Sequence, residues 1–191
     1  MKVVAFNGSA RKDGNTAILV NYVLRELEKE GIETEFVQLS GKKIHGCIAC
    51  RKCFENKDRR CSVKDDFVND CIEKMLSAQG IILASPTYFA DLTPEIKALI
   101  DRAGYVSIAN DAMFKRKVGA AVVVARRVGT IHTFDSINHF FLITQMIIPG
   151  SRYWNIAFGR EKGEVEKDKE GIQTMKVLGE NMAWLLKRIH A

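Results

Sequence analysis

Two segments, residues 80–85 (Gly-Ile-Ile-Leu-Ala-Ser) and 118–125 (Val-Gly-Ala-Ala-Val-Val-Val-Ala), are apolar or small at nearly every position. A strand with one wet face alternates polar and apolar residues, whereas a continuous run suits a strand covered on both faces. Such strands belong to parallel sheets, whose crossovers lay helices on either side. The rest of the chain fits that plan. Residues 3–7 form a short apolar run ended by Gly8, residues 33–39 alternate as a half-buried strand, and residues 153–158 supply a fifth strand. Between them, residues 15–30 place Ala17, Val20, Leu24 and Leu27 on one helical face and stop at Gly31. Asp65 or Asp66 can cap a helix running to Ala78, and Thr93 caps another that opens on Pro94. Residues 131–146 read as helix. The last helix carries Ile172, Met175, Met182, Leu185 and Ile189 at three- and four-residue steps, a core-packing stripe. The charged stretch 160–170 reads as a solvated loop or frayed helix start. Strands alternating with helices predict an α/β fold, one domain over residues 1–191 with a doubly wound five-stranded parallel sheet of order 2-1-3-4-5.

The first strand runs into Gly8-Ser9-Ala10-Arg11-Lys12-Asp13-Gly14-Asn15-Thr16 and then a helix. A loop of this kind offers backbone N–H groups at a helix N-terminus, where the dipole favours an anion. Ser9 and Thr16 can donate hydroxyls, Asn15 its amide, and Arg11 can neutralise a phosphate. The Lys-[Ser/Thr] pair of a Walker A loop and the Gly-x-Gly-x-x-Gly of a dinucleotide site are both missing.

Cys47, Cys50, Cys53 and Cys61 fall within a long loop at 40–64, and Cys71 stands apart inside the following helix as a small apolar residue. Three thiolates at successive three-residue steps can wrap one corner of an iron–sulfur cubane, with a fourth from a flexible loop; bacterial ferredoxins use a similar run. Structural zinc normally takes two separated Cys-x2-Cys knuckles or a Cys/His mix. A [4Fe–4S] cluster is the leading reading, with zinc and no metal left open.

With these motifs in view, the chain resembles the NADPH-dependent FMN reductase and iron–sulfur flavoprotein branch of the flavodoxin-like superfamily. Gly-Ser-x-Arg-x-x-x-Asn-Thr after an N-terminal strand carries the resemblance, together with Ser85-Pro86-Thr87-Tyr88-Phe89 and the pattern Lys97, Asp101, Arg102 in the helix that follows. The resemblance implies an FMN site built from Ser9, Arg11, Asn15, Thr16, Pro86, Thr87, Tyr88 and Phe89, closed by a third loop at Ala125, Arg126, Arg127 and Gly129. It implies also that Cys47, Cys50, Cys53 and Cys61 together hold one [4Fe–4S] cluster. Gly46 and Asp65-Asp66 match a framework shared with cluster-free reductases and do not discriminate.

Three functions are therefore carried forward. One is FMN-dependent electron transfer from reduced ferredoxin, or another acidic donor, through the cluster to FMN and on to an acceptor. The net charge of +6 suits an acidic donor. A second is an NAD(P)H-dependent FMN or quinone reductase without a cluster, in which Arg126 or Arg127 grips the nucleotide phosphates. The third is a flavin-binding redox sensor whose cysteines respond to oxidants. The resemblance implies a homodimer or homotetramer. No dense basic block with interleaved aromatics points to nucleic acid. No run of about 18 apolar residues points to a membrane span, and residues 1–6 pass straight into a polar turn, so a cytoplasmic location is expected.

Overall fold

The computed structural model describes residues 1–190. Its sheet has five parallel strands in the order β2-β1-β3-β4-β5. These are β1 (Lys2–Asn7), β2 (Glu33–Gln38), β3 (Gly80–Pro86), β4 (Val118–Ala125) and β5 (Ile156–Phe158). The helices are α1 (Asn15–Lys29), α2 (Lys52–Asn56), α3 (Val68–Ser77), α4 (Pro94–Ala109), α5 (Thr130–Ile143) and α6 (Lys169–Ile189), with a 3-10 turn at Glu164–Lys167. The architecture is the expected flavodoxin-like one.

The two apolar runs behave as their composition requires. Along β1, β3 and β4, alternate side chains enter opposite layers. Val4, Phe6, Ile81, Leu83, Ala121 and Val123 pack beneath α3, α4 and α5. Val3, Ala5, Ile82, Ala84, Ala120 and Val122 pack beneath α1 and α6. Neither face of a central strand meets water, so neither needs a polar residue.

The α1–α6 layer is tight at one place. A Cβ built on Gly179 would lie 2.8 Å from the Val23 carbonyl oxygen and 2.7 Å from the Glu26 Cβ. The first of these is backbone and cannot swing aside. Gly179→Ala is expected to push the two helices apart and lower stability by about 1–3 kcal/mol. A fall in the urea midpoint at unchanged slope would show it; an unchanged midpoint would mean that the helices part freely.

Several local expectations need correction. The loop at 40–64 contains the short helix α2, which at five residues lies far below the length at which periodicity becomes readable. The fifth strand is only Ile156–Phe158, and Tyr153 and Trp154 remain half exposed at that sheet edge. The stretch 160–170 folds into the 3-10 turn and the start of α6, whose N-cap Asp168 accepts from Gly171 N–H at 2.9 Å. Thr93 occupies the N-cap position of α4 but makes no capping bond, and its hydroxyl is buried without a partner. Its own N–H donates instead to Ser85 Oγ at 3.0 Å. Its Oγ1 packs 2.5 Å from where a side chain on Gly8 would begin, which only a glycine allows.

Candidate functional site

The loops after β1 and β3 leave the sheet toward opposite faces and open a crevice at the strands' carboxyl ends, where the strand order reverses. A cleft of about 180 Å³ lies there. Ser9, Arg11, Asn15 and Thr16 line one side, Pro86, Thr87 and Tyr88 another, and Ala125 and Arg126 a third. Val124, Gly159 and Arg160 complete the wall.

The first loop is held by side chains rather than by a regular turn. Asn7 Oδ1 accepts from Ser9 N–H at 3.0 Å, and Ser9 Oγ accepts from Arg11 N–H at 3.2 Å. Gln38 in β2 donates from Nε2 to the Ser9 carbonyl at 2.7 Å and accepts from Asn7 Nδ2 at 2.8 Å. This relay fixes the loop against the N-terminus of α1, whose first turn carries no acidic residue. The unsatisfied N–H groups of that turn and the Arg11 and Arg160 guanidinium groups around the cleft give a site suited to a phosphate monoester. The residues present therefore fit the phosphate end of FMN.

Asn15 lines the cleft and has a second task as well. Its Nδ2 donates to the Glu161 carbonyl at 2.9 Å and its Oδ1 accepts from Gly163 N–H at 2.9 Å, so it ties down the 160–163 loop. Arg11 Nη1 also donates to the Arg160 carbonyl, at 3.3 Å. Phe89, Arg127 and Gly129 are not among the residues lining the cleft. Phe89 and Ala90 adopt left-handed backbone (φ 49° and 65°) in a turn closed by reciprocal Tyr88–Asp91 backbone bonds, leaving the Phe89 ring in solvent. Gly129, with φ of 88°, stands behind that turn: a Cβ there would meet Ala90 Cα at 3.0 Å and Thr87 Cγ2 at 3.1 Å. Its smallness brings the start of α5 close enough for Thr133 Oγ1 to bond Thr87 Oγ1 at 3.1 Å.

A second site lies over α4. Cys47, Cys50, Cys53 and Cys61 surround one cavity, with Arg102, Tyr105 and Val106 from α4 and Ser62 around them. The loop turns sharply through left-handed Ala49, Arg51, Lys57 and Arg59 (φ 48–61°), backbone that costs non-glycine residues free energy and collects at binding sites. All five cysteines are free thiols. Ala49 N–H donates to Cys47 Sγ at 3.4 Å, and Cys50 Sγ lies 3.1 Å from Ser62 Oγ. The Ser62 hydroxyl and the Lys52 N–H hold the Cys50 thiol below its ordinary pKa, while burial pushes Cys53 up. Cys71 is buried on the inner face of α3, apart from this cavity, and burial pushes its thiol to about 12, as expected of a packing residue.

Among the described residues, no three His, Cys, Asp or Glu side chains are gathered closely enough to grip one metal ion. The four thiols line one shared space of about 20 Å³. No described helix is long and apolar enough to cross a membrane.

The family model described as NADPH-dependent FMN reductase matches residues 1–161. An iron–sulfur flavoprotein of Methanocaldococcus jannaschii is 38% identical over 99% of this chain and 99% of its own length. An iron–sulfur flavoprotein of Methanosarcina thermophila is 33% identical over 99% and 97%. Among solved structures, RosB with bound 8-demethyl-8-formylriboflavin-5′-phosphate superimposes with a TM-score of 0.76, 16% identity and coverage of 100% and 80%. An NAD(P)H:quinone oxidoreductase from Methanothermobacter marburgensis gives 0.70 at 12% identity, covering 95% and 96%. At such identities these two structures speak to the fold alone.

Proposed function

Because the chain belongs to the NADPH-dependent FMN reductase family and is an FMN-dependent oxidoreductase, we propose that it receives electrons at a [4Fe–4S] cluster and passes them to FMN. Cys47, Cys50, Cys53 and Cys61 hold the cluster in this reading. Ser9, Arg11, Thr16, Pro86, Thr87, Tyr88, Ala125 and Arg126 hold the flavin, joined by Arg160, while Asn15, Phe89, Arg127 and Gly129 shape or flank that cleft. The observation that carries the reading is the ring of four free thiols around one cavity, in a chain that builds a phosphate cleft elsewhere.

When bound, the cluster supplies a one-electron centre and FMN one that handles one or two electrons. The protein's part is to place and tune them. Arg11, Arg160 and the α1 N-terminus neutralise the phosphate, and Thr87, fixed by Thr133, presents its loop toward the ring. Exposed Arg51, Lys52, Lys57, Arg59 and Arg60 surround the cysteines, outnumbering Glu55 and Asp58 between them. That excess of positive charge suits docking of an acidic protein such as reduced ferredoxin. Association into a homodimer or homotetramer belongs to the same proposal, supported by exposed Phe89, Val128 and Ile131 in the turns after β3 and β4 and at the start of α5.

Anaerobic purification followed by iron, sulfide and flavin analysis tests the reading. About four iron and four sulfide with one FMN per chain are expected, and reduced ferredoxin should bleach the flavin faster than NADPH does. One FMN with no iron after anaerobic reconstitution, together with rapid bleaching by NADPH, would replace it with the direct reductase. Arg126, on the cleft wall, would then be the residue available to the nucleotide.

A further inference from the structure

We propose that Arg102 is a positioning residue of the cysteine site, which orients Cys61 and raises the reduction potential of the group bound there through an N–H···S hydrogen bond. The inference rests on the cluster reading above.

Arg102 is 1% exposed and heads the largest fully buried side chains of the chain. A guanidinium has five N–H donors in a fixed plane, and this one spends four of them on a single segment. Its Nε donates to Cys61 Sγ at 3.3 Å, Nη1 to the His45 carbonyl at 3.2 Å and also to Asp66 Oδ2, and Nη2 to the Val63 carbonyl at 3.0 Å. Both side chains of the Arg102–Asp66 pair are shut off from solvent.

Burying an ion pair is expensive, and an apolar pair of similar volume would often serve stability as well or better. Loop closure by itself also has other agents here. His45 N–H donates to Asp66 Oδ2 at 3.0 Å, and Asn69 clamps the Cys61 backbone from both sides, accepting at 2.8 Å and donating at 3.0 Å. What these other contacts do not supply is a donor to the Cys61 sulfur. Asp66 orients the guanidinium from one side so that Nε faces that sulfur on the other.

Each electron accepted at a four-thiolate site leaves it one charge more negative. A donor aimed at a ligand sulfur stabilises that added charge, and hydrogen bonds to the sulfurs are among the levers that set such potentials. Asp66 offsets the charge of Arg102 at longer range, so the directional N–H···S bond carries the effect.

The test uses the intact flavin-loaded chain, purified anaerobically, as wild type, R102K and D66N/R102M. Lysine keeps a cation beside Asp66 but has no donor where Nε stands. The double substitution removes both charges together, so neither is left buried alone. Iron and FMN are counted, and the cluster's one-electron midpoint is read by electron paramagnetic resonance during titration with dithionite. Both variants are expected to keep their FMN and to be harder to reduce. The reduced-to-oxidised ratio at fixed potential should fall about tenfold, equivalent to about 59 mV for one electron.

A wild-type midpoint in both variants would overturn the inference. Loss of iron from both would make Arg102 a structural clasp only and would overturn the tuning role too. Iron-free wild type after reconstitution would remove this inference along with the cluster reading, and is told apart because it appears before any substitution is made.

Discussion

On the cluster reading proposed above, serine in place of Cys53 is expected to strip the protein of nearly all its iron while leaving FMN bound at the wild-type ratio. Cys53 is the most buried of the four clustered thiols and lies in the first turn of the short helix α2. Its sulfur therefore approaches the shared cavity from the protein side. A serine hydroxyl is close in size but stays protonated at neutral pH, and iron–sulfur clusters are held by thiolates. The flavin cleft shares no lining residue with the cysteine cavity, so the two losses should separate. Iron analysis beside the flavin absorbance of the same sample decides the matter. Full iron retention in Cys53→Ser would mean that the cysteines do not bind the cluster together, and parallel loss of FMN would mean that the two sites fold as one.

Replacing Asp66 with alanine is expected to destabilise the folded chain by about 3–5 kcal/mol, the usual cost of leaving a buried partner charge unpaired. Alanine also orphans the N–H groups of His45 and Val68, which now donate to Asp66 at 3.0 and 3.2 Å. The same carboxylate makes stability depend on acid. Burial on its own would raise the Asp66 pKa, but the Arg102 guanidinium and the His45 and Val68 N–H groups outweigh it and hold the group below the ordinary carboxylate value. A depressed folded pKa contributes stability above the unfolded value of about 3.9 and loses it as the pH falls through the lower folded one. Urea denaturation of wild type and Asp66→Ala should therefore show a wide gap at pH 7 that narrows below about pH 4. A gap of constant width would place the stabilisation elsewhere.

The strands could be read from the sequence because burial on both faces leaves a compositional mark that needs no partner to be seen. The phosphate loop was legible for a similar reason, since Ser9, Arg11 and Thr16 lie within one turn of chain and one helix start. Arg160 and Gly159 escaped notice because they reach the cleft from beyond β5, inside a stretch whose charge density suggests solvent. Nothing local to residues 160–163 announces that Asn15, nearly 150 positions earlier, holds them. Asn15 illustrates the limit in the other direction: its type suited a ligand contact, and only the folded chain reveals that its amide is already engaged. The part of Arg102 was hidden in the same way. Its place in the helix after the Pro86–Phe89 loop is visible in sequence, but its bond to Cys61 spans 41 positions.

The span from His45 to Asp66 begins and ends at one point, since His45 bonds Asp66 through its N–H and shares Arg102 with it through its carbonyl. Lys43 and Phe67, just outside, are joined as well, by a backbone bond of 2.9 Å. A segment whose ends already touch is a detour, and the connection from β2 to α3 closes without regard to how far the detour travels. Doubling the length of such a loop adds only about 0.6 kcal/mol of closure entropy. The exposed turns of the cysteine loop can thus be lengthened at small entropic cost, provided that Cys61 and Val63, which occupy buried Arg102 and Asn69, keep their places.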